Sequence, residues 1–455
     1  MMEKSPSIFQ EDVQQARKSS DTTINSINQE LSQNQKNIQH LEIQNDKNNQ
    51  QVQKFSSKLE ATINLFKGYI GSGILALPYA FQQSGYLLAT LIFLMIALIV
   101  YRTMDLLFQV AEKYGKKGMT YEQLAQLFFG RKGMLCVKFF IIIFQFGCCI
   151  SYIIFFLKFF EHVFEDENQT NQLHEFLYLC IALAIILPMN LINNISLFAK
   201  ISFVANFFII CTLLAIIGYN IHLLIDSNTH QQNVRNETNL FDFSNLPLMI
   251  GVSIYSFECI GIIFSIKNTV EDDTAFKPIF KFTSVVITLL YVGFSILGAM
   301  AQGDSLSEII LFSLPKRADV AYFQITYAIA LVMSYPLQLL PSLQIIESSR
   351  LIKSILKSRE KNYKIKRFFF RTFVTIIISS FAFLIPRFAI FLNLIGAFAG
   401  TALQFVFPVI MYNFTFQNEI SQKQKILNYF YLGIGIIGGL ASTIFSIVDL
   451  CKKDS

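Results

Sequence analysis

The chain has 455 residues, of which 53% are hydrophobic and only 15% are charged, with a formal net charge of +6. Soluble domains carry roughly a quarter charged residues, so this composition excludes an ordinary soluble globule and predicts a membrane protein. The basic residues gather in a few loops rather than on one face, which gives no sign of nucleic-acid binding. No cysteine pair has CxxC spacing, and we expect neither a metal site nor a cofactor.

Residues 1–58 are rich in Gln, Asn, Ser and Lys. Such a segment cannot bury a core, so a polar, largely disordered tail is predicted, followed by a membrane domain over residues 59–451. Apolar side chains recur at heptad positions in the tail, but Asn34, Asn45 and Asn48 interrupt the pattern. We therefore expect a loose helical tail, and an oligomerisation device stays open as the alternative.

The rest of the chain is a series of apolar runs, and a helix needs about 20 apolar residues to cross a bilayer. The predicted fold is an all-α polytopic membrane protein with eleven transmembrane helices. A short amphipathic helix is predicted on the membrane surface over residues 121–129. The predicted spans are 60–82, 86–112, 134–162, 174–192, 195–224, 246–266, 279–301, 318–346, 368–385, 389–412 and 428–450.

Basic residues concentrate in the loops 113–133 and 347–367, which lie on one side of the membrane if eleven spans are counted. Because cytosolic loops are enriched in Lys and Arg, this asymmetry predicts a cytosolic N-terminus. The sequons at Asn168 and Asn236 then fall in lumenal or extracellular loops, where glycosylation is predicted.

Two spans contain residues that interrupt helices. The first has three glycines between Gly68 and Gly73, followed by Pro78. The sixth, between Gly251 and Gly261, carries a carboxylate near its middle. Irregular backbone at membrane depth survives only where it lines a cavity or is buried in protein. Broken first and sixth helices predict a five-plus-five inverted repeat, in which spans 1–5 match spans 6–10.

Unwound backbone can bind both charges of a zwitterionic amino acid, because helix ends attract a carboxylate and freed carbonyls attract an ammonium group. The expected substrate-binding residues are Ile70, Gly71, Ser72, Gly73, Tyr255, Ser256 and Phe257. Close packing through small residues is the alternative explanation of the glycines.

Charged residues near the breaks are candidates for ion or proton coupling. Glu258 is predicted near mid-membrane, where an ionisable residue indicates function, although it could instead be a structural acid. Lys67 lies one turn before the first break, and snorkelling to the interface is its alternative role. The chain has no Walker loop, HExxH motif or nucleophile elbow, so we expect no enzyme activity.

Three segments resemble the amino acid/auxin permease family. Residues 71–81 read GSGILALPYAF, residues 256–261 read SFECIG and residues 334–338 read SYPLQ. They are similar to the family patterns G-[ST]-G-[IVL]-L-x-L-P-x-A-F, F-E-G-I-G and T-Y-P-L-Q, in the same order. The resemblance covers about residues 59–450 and implies the five-plus-five repeat with one added helix, alternating access and amino acid substrates.

Some positions depart from the family pattern. Cys259 replaces a glycine, which narrows the expected pocket. Lys67 stands where sodium-coupled members have an asparagine near the ion site, with Ser334 at the matching position of span eight. A lysine there resembles the proton-coupled and vacuolar branches. Asn64 stands where animal proton-coupled members have a histidine, so that residue's role does not carry over.

The resemblance implies a secondary transporter of small amino acids that is proton-coupled and sodium-independent. It favours the vacuolar or lysosomal membrane, with the plasma membrane as an alternative. A different class of protein, an amino-acid-sensing receptor that signals through its tail, is the rival hypothesis. The expected partners are an amino acid, a proton and the lipid bilayer.

Overall fold

A computed structural model describes residues 57–114, 118–164, 172–189, 195–226, 240–270, 273–356 and 362–452. Nearly all of the predicted tail, and both sequon residues Asn168 and Asn236, lie outside these residues. The tail and the glycosylation sites therefore stay predictions.

The described residues fold mainly into α-helices. In chain order these are α1 (Lys58–Tyr69), α2 (Gly73–Ser84), α3 (Tyr86–Tyr114), α4 (Tyr121–Phe164), α5 (Gln172–Met189), α6 (Ile195–Ile225), α7 (Leu246–Ser256), α8 (Ile263–Thr269), α9 (Asp273–Gln302), α10 (Ala318–Glu347), α11 (Arg350–Leu356), α12 (Tyr363–Ala382), α13 (Phe388–Ile395), α14 (Phe407–Thr415) and α15 (Gln422–Cys451).

Helices lie over every predicted span, and 8 stretches of the described chain are long and apolar enough to cross a membrane. The predicted all-α polytopic membrane protein is thus confirmed. The first and sixth predicted spans are each divided into two helices, α1 with α2 and α7 with α8. The count of eleven crossings and the inverted repeat stay predictions.

The predicted amphipathic segment 121–129 is helical and forms the start of α4. Gly130 separates it from the long apolar part of that helix, because its φ of 60° and ψ of −155° are not helical. This conformation suits glycine, which has no Cβ to clash with the backbone. Tyr121 is buried, and its hydroxyl donates to the Leu403 carbonyl at 2.8 Å, which fixes the segment against the helical core.

The interrupted helices lie at the centre of the molecule. The α7 helix packs against α2, α3, α13 and α15, while α4 packs against α10. Outer helices present apolar side chains to the surroundings; in α15 these include Ile437, Leu440 and Ile444. An apolar exterior around a centre that holds irregular backbone is the arrangement that a bilayer requires.

Span ten departs from a regular helix. Between α13 and α14 the backbone forms two π-helical turns, Gly396–Gly400 and Ala402–Val406. A Cβ on Gly396 would lie 2.1 Å from the Gly251 carbonyl oxygen and 2.7 Å from the Tyr255 nitrogen. Glycine at this position therefore lets span ten approach the backbone of α7. Short π-helical segments within α-helices are frequent at functional sites.

An ionic network holds the start of span ten. Glu308, in the loop between α9 and α10, accepts from the Ala389 backbone N–H at 2.9 Å and from Arg387 at 3.2 Å. Arg387 also pairs with Asp449 at the end of α15. Partial burial disfavours the charged form of Arg387, but the carboxylates of Glu308 and Asp449 favour that form more strongly. The pKa of Arg387 is therefore raised.

Candidate functional site

The first break covers residues 70–72. The α1 helix ends at Tyr69, Ile70 is extended with a φ of −81° and a ψ of 99°, and α2 begins at Gly73. Pro78 does not belong to the break, because it lies inside α2, which continues past it. The glycine-rich segment, rather than the proline, therefore marks where the helix is interrupted.

Two tyrosines from other helices satisfy backbone carbonyls at the first break. The Tyr291 hydroxyl, on α9, donates to the Tyr69 carbonyl at 2.6 Å, and the Tyr327 hydroxyl, on α10, donates to the Gly71 carbonyl at 3.1 Å. A helix end leaves carbonyls without intrahelical partners, and leaving them unpaired in a buried site is costly. Neither tyrosine was predicted from the sequence.

Three buried hydroxyl groups meet beside the first break. Ser72 Oγ lies 2.8 Å from Ser151 Oγ and 3.0 Å from the Tyr255 hydroxyl, and the last two lie 2.9 Å apart. We call Ser72, Ser151 and Tyr255 the hydroxyl triangle. The Ser151 hydroxyl also donates to the Cys148 carbonyl at 2.8 Å. Each hydroxyl has one proton that it can rotate, so the Ser72 and Tyr255 hydroxyls can turn their donors toward an incoming carboxylate while Ser151 accepts from one of them. Ser151 was missed because it lies in the middle of an apolar run.

The second break covers residues 257–262. The α7 helix ends at Ser256, Phe257 has a φ of −91° and a ψ of 46°, and Glu258–Gly261 form a 3₁₀ turn before α8. Gln404, in the second π turn, donates through Nε2 to the Ile254 carbonyl at 3.1 Å and to the Phe257 carbonyl at 3.4 Å. An amide side chain thus supports backbone that the interrupted helix leaves unpaired.

The two breaks touch at Gly73. A Cβ built on Gly73 would lie 3.1 Å from Ser256 Cα and 3.2 Å from Tyr255 Cδ1, which is tighter than nearly all real Cβ contacts. The Phe257 ring also joins the breaks, since it packs edge-on against Tyr69 at 6.0 Å between ring centroids. The structure therefore brings together the predicted residues of both breaks.

The three residues predicted to couple ions or protons, Lys67, Glu258 and Ser334, are not shown to lie together. Ser334 Oγ donates to the Ala330 carbonyl of its own helix at 2.9 Å, and within the described part of the chain no hydrogen bond joins it to Lys67. The backbone of Glu258 starts the 3₁₀ turn, but its side chain lies outside the described part. The roles of Lys67, Glu258 and Ser334 stay predictions.

Lys67 faces a groove between α1 and α6. Its Nζ lies 5.3 Å from the centre of the Phe203 ring, and the groove encloses about 290 Å³. Ile70, in the first break, lines the same groove, so this space adjoins the interrupted backbone. Lys67 is the one charged residue among the lining residues, which are Ile63, Phe66, Lys67, Ile70, Phe203, Asn206, Phe207, Ile209 and Ile210.

Metal ligands are not clustered in the part of the chain that the structure describes. No group of three or more His, Cys, Asp or Glu side chains there is arranged to hold a metal ion. Around the two breaks the described side chains and backbone offer hydroxyl, amide and carbonyl groups, which bind by hydrogen bonding.

The sequence model of a family described as transmembrane amino acid transporter protein matches residues 54–448. The chain belongs to this family. The predicted resemblance is thereby confirmed, and the protein is a multi-pass membrane protein of an amino acid transporter family. The receptor hypothesis is not favoured, because the curated relatives are named as transporters.

Individual relatives and one solved structure are similar to this chain at a low level of identity. Amino acid transporter AVT3B of Arabidopsis thaliana is 25% identical over 418 residues, which cover 88% of this chain and 95% of the relative. Vacuolar amino acid transporter 3 of Saccharomyces cerevisiae is 24% identical, over 84% of this chain and 55% of the relative. The solved structure of MhsT in complex with L-phenylalanine is 13% identical with a TM-score of 0.52, covering 87% of this chain and 99% of that chain.

Proposed function

We propose that this protein carries amino acids across the vacuolar membrane by alternating access, coupled to protons and independent of sodium. The contact between the two breaks at Gly73 is the observation that carries the proposal. It places the hydroxyls of Ser72 and Tyr255 beside interrupted backbone, where a substrate carboxylate and ammonium group can both be bound. The names of the yeast and plant relatives support the substrate class, and the yeast name supports the membrane.

Sodium independence rests on Lys67. Lys67 precedes the break that begins at Ile70 by three residues, and its side chain lines a groove with apolar walls. A sodium ion bound next to the Lys67 ammonium group would be repelled, and the repulsion would be strong because the surroundings are poorly polarisable. We expect uptake to be unchanged when choline replaces sodium at constant pH.

Proton coupling rests on Glu258, the carboxylate of the second break. A carboxylate at membrane depth is favoured in its protonated form, and a nearby cation or a substrate ammonium favours the charged form, so we expect a carboxylate at this position to exchange a proton as the site opens to each side. If the lumen is the acidic side, symport moves the proton and the amino acid together from the lumen to the cytosol.

The test is uptake of a panel of the twenty amino acids into proteoliposomes, with and without a pH gradient that is acidic on the substrate side. We expect the gradient to stimulate uptake by the wild-type protein. The Glu258→Gln variant should still exchange amino acid but lose this stimulation, because an amide keeps the shape yet cannot titrate. Full stimulation of the variant would contradict the coupling role, and binding without flux in the wild type would contradict the transport function.

A further inference from the structure

Gln145, on α4, is a fully buried amide that the proposed function does not yet use. Its side chain is 0% exposed, and neither Nε2 nor Oε1 has a hydrogen-bond partner among the described residues. Buried polar groups in folded proteins are nearly always paired, and an amide with both ends unpaired calls for a partner that binds at some stage of function. A polar residue inside a membrane span commonly marks a substrate path.

The position of Gln145 shows where that partner binds. A methyl group built on Gly261 would lie 1.6 Å from Gln145 Nε2 and 2.6 Å from Gln145 Cδ. Gly261 ends the 3₁₀ turn of the second break, and α8 begins two residues later at Ile263. The amide therefore lies against the break, and a glycine is the residue that lets it approach so closely.

A second amide lies at the same break. Gln404 uses its Nε2 to hold the Ile254 and Phe257 carbonyls, while its Oε1 is buried and unpaired in the described part. The two glutamines differ in role: Gln404 supports the backbone of the break, whereas Gln145 makes no such bond. Support of the backbone therefore does not explain Gln145.

We propose that Gln145 binds the transported amino acid directly, through Nε2 to the α-carboxylate and through Oε1 to the α-ammonium group. This inference rests on the proposed transport function and names its substrate class as neutral, zwitterionic α-amino acids. A carboxamide is a neutral side chain that offers both a donor and an acceptor, so it matches both charges without adding one to a poorly polarisable site. Movement of Gly261 with α8 during alternating access uncovers the amide to the substrate.

The test compares Gln145→Leu with the wild type and with Thr372→Val. The Thr372 hydroxyl is likewise buried and unpaired in the described part, but it lies on α12, away from both breaks, which makes it the matched control. Two quantities are measured for each protein: the KM for the amino acid that the wild type transports best, in proteoliposomes, and the midpoint of thermal unfolding without substrate.

For Gln145→Leu we expect the KM to rise at least about tenfold, since bonds to charged groups are lost. The unfolding midpoint should be unchanged or higher, because leucine removes an unpaired amide. Thr372→Val should keep the wild-type KM. A second variant, Gln145→Met, should give the same rise in KM and keeps the test decisive if the leucine variant does not fold.

An unchanged KM in both Gln145 variants, with wild-type transport intact, would overturn the inference and leave the proposed function standing. A lower unfolding midpoint with an unchanged KM would show a structural role and would also overturn it. A wild-type protein that moves no amino acid would overturn the proposed function, and this inference with it.

Discussion

The two interrupted helices differ in the groups that bind the backbone carbonyls at their breaks. The first break is short, and hydroxyl groups from three other helices, at Tyr291, Tyr327 and Ser151, contact its residues. The second break is longer, keeps a 3₁₀ turn, and has the Gln404 amide holding its carbonyls.

This difference indicates that the first break is held in place more firmly than the second. Hydroxyl bonds from α4, α9 and α10 tie the first break to several helices at once, so moving it would break several bonds together. At the second break one side chain, Gln404, donates to the Ile254 and Phe257 carbonyls, and the neighbouring Gln145 amide is unpaired in the described part, so moving this break disrupts the bonds of one residue rather than those of three helices. We infer that the first break forms the stable part of the binding site and that the second break moves.

The largest expected effect comes from separating the breaks. Gly73→Val adds a branched side chain where even a Cβ lies 3.1 Å from Ser256 Cα. Overpacking of this kind costs about 1–3 kcal/mol and disfavours the conformation in which the breaks touch, so uptake should fall about fivefold to 150-fold while membrane insertion is kept. The measurement is uptake per molecule of inserted protein.

Gly433→Val is the control for this variant, because no atom lies within 4 Å of a Cβ at Gly433. It should transport at close to the wild-type rate. Normal uptake by a correctly inserted Gly73→Val protein would show that the contact between the breaks is not needed.

Removing a hydroxyl that supports the first break should mainly reduce stability. Tyr327→Phe leaves the buried Gly71 carbonyl without its donor at 3.1 Å, which costs about 1–3 kcal/mol. We expect a lower midpoint of thermal unfolding, and Tyr291→Phe should act in the same direction because Tyr69 loses its donor at 2.6 Å. If both variants unfold at the wild-type temperature, these two hydroxyl groups do not hold the first break in place.

A smaller change is expected from the hydroxyl triangle. Ser151→Ala removes one of three hydroxyls and leaves the contact of Ser72 with Tyr255 at 3.0 Å. A single hydrogen bond contributes about 0.5–1.5 kcal/mol, so the KM should rise about twofold to tenfold with little change in the maximal rate. Uptake kinetics check this, and a reduced maximal rate at constant KM would argue against carboxylate binding by the triangle.

The sequence was sufficient for the helices and for the location of the breaks. Apolar runs of sufficient length must be helical in a membrane, and clustered glycines mark where the helix weakens, as at Gly71 and Gly73. The sequence did not predict which side chains from other helices contact the breaks. Ser151, Gln145 and Tyr327 are isolated polar positions in apolar runs, and only packing of distant helices shows which of them face the site. The π turns of span ten were likewise invisible, because their composition resembles that of a regular helix.

The movement of the two broken helices against each other is tested most directly by a covalent link between α1 and the second break. A Cβ on Gly68 would lie 3.4 Å from Cys259 Cβ and 2.6 Å from its Sγ, close to the separation of about 3.5–4.5 Å between Cβ atoms in disulfides. In Gly68→Cys, a disulfide to Cys259 should therefore form on oxidation, as detected by mass spectrometry, and Gly68→Ser serves as the control without a second thiol. We predict that oxidation abolishes uptake, that reduction restores it, and that the serine variant responds to neither. Transport at the wild-type rate by the cross-linked protein would contradict the claim that these two broken helices move against each other.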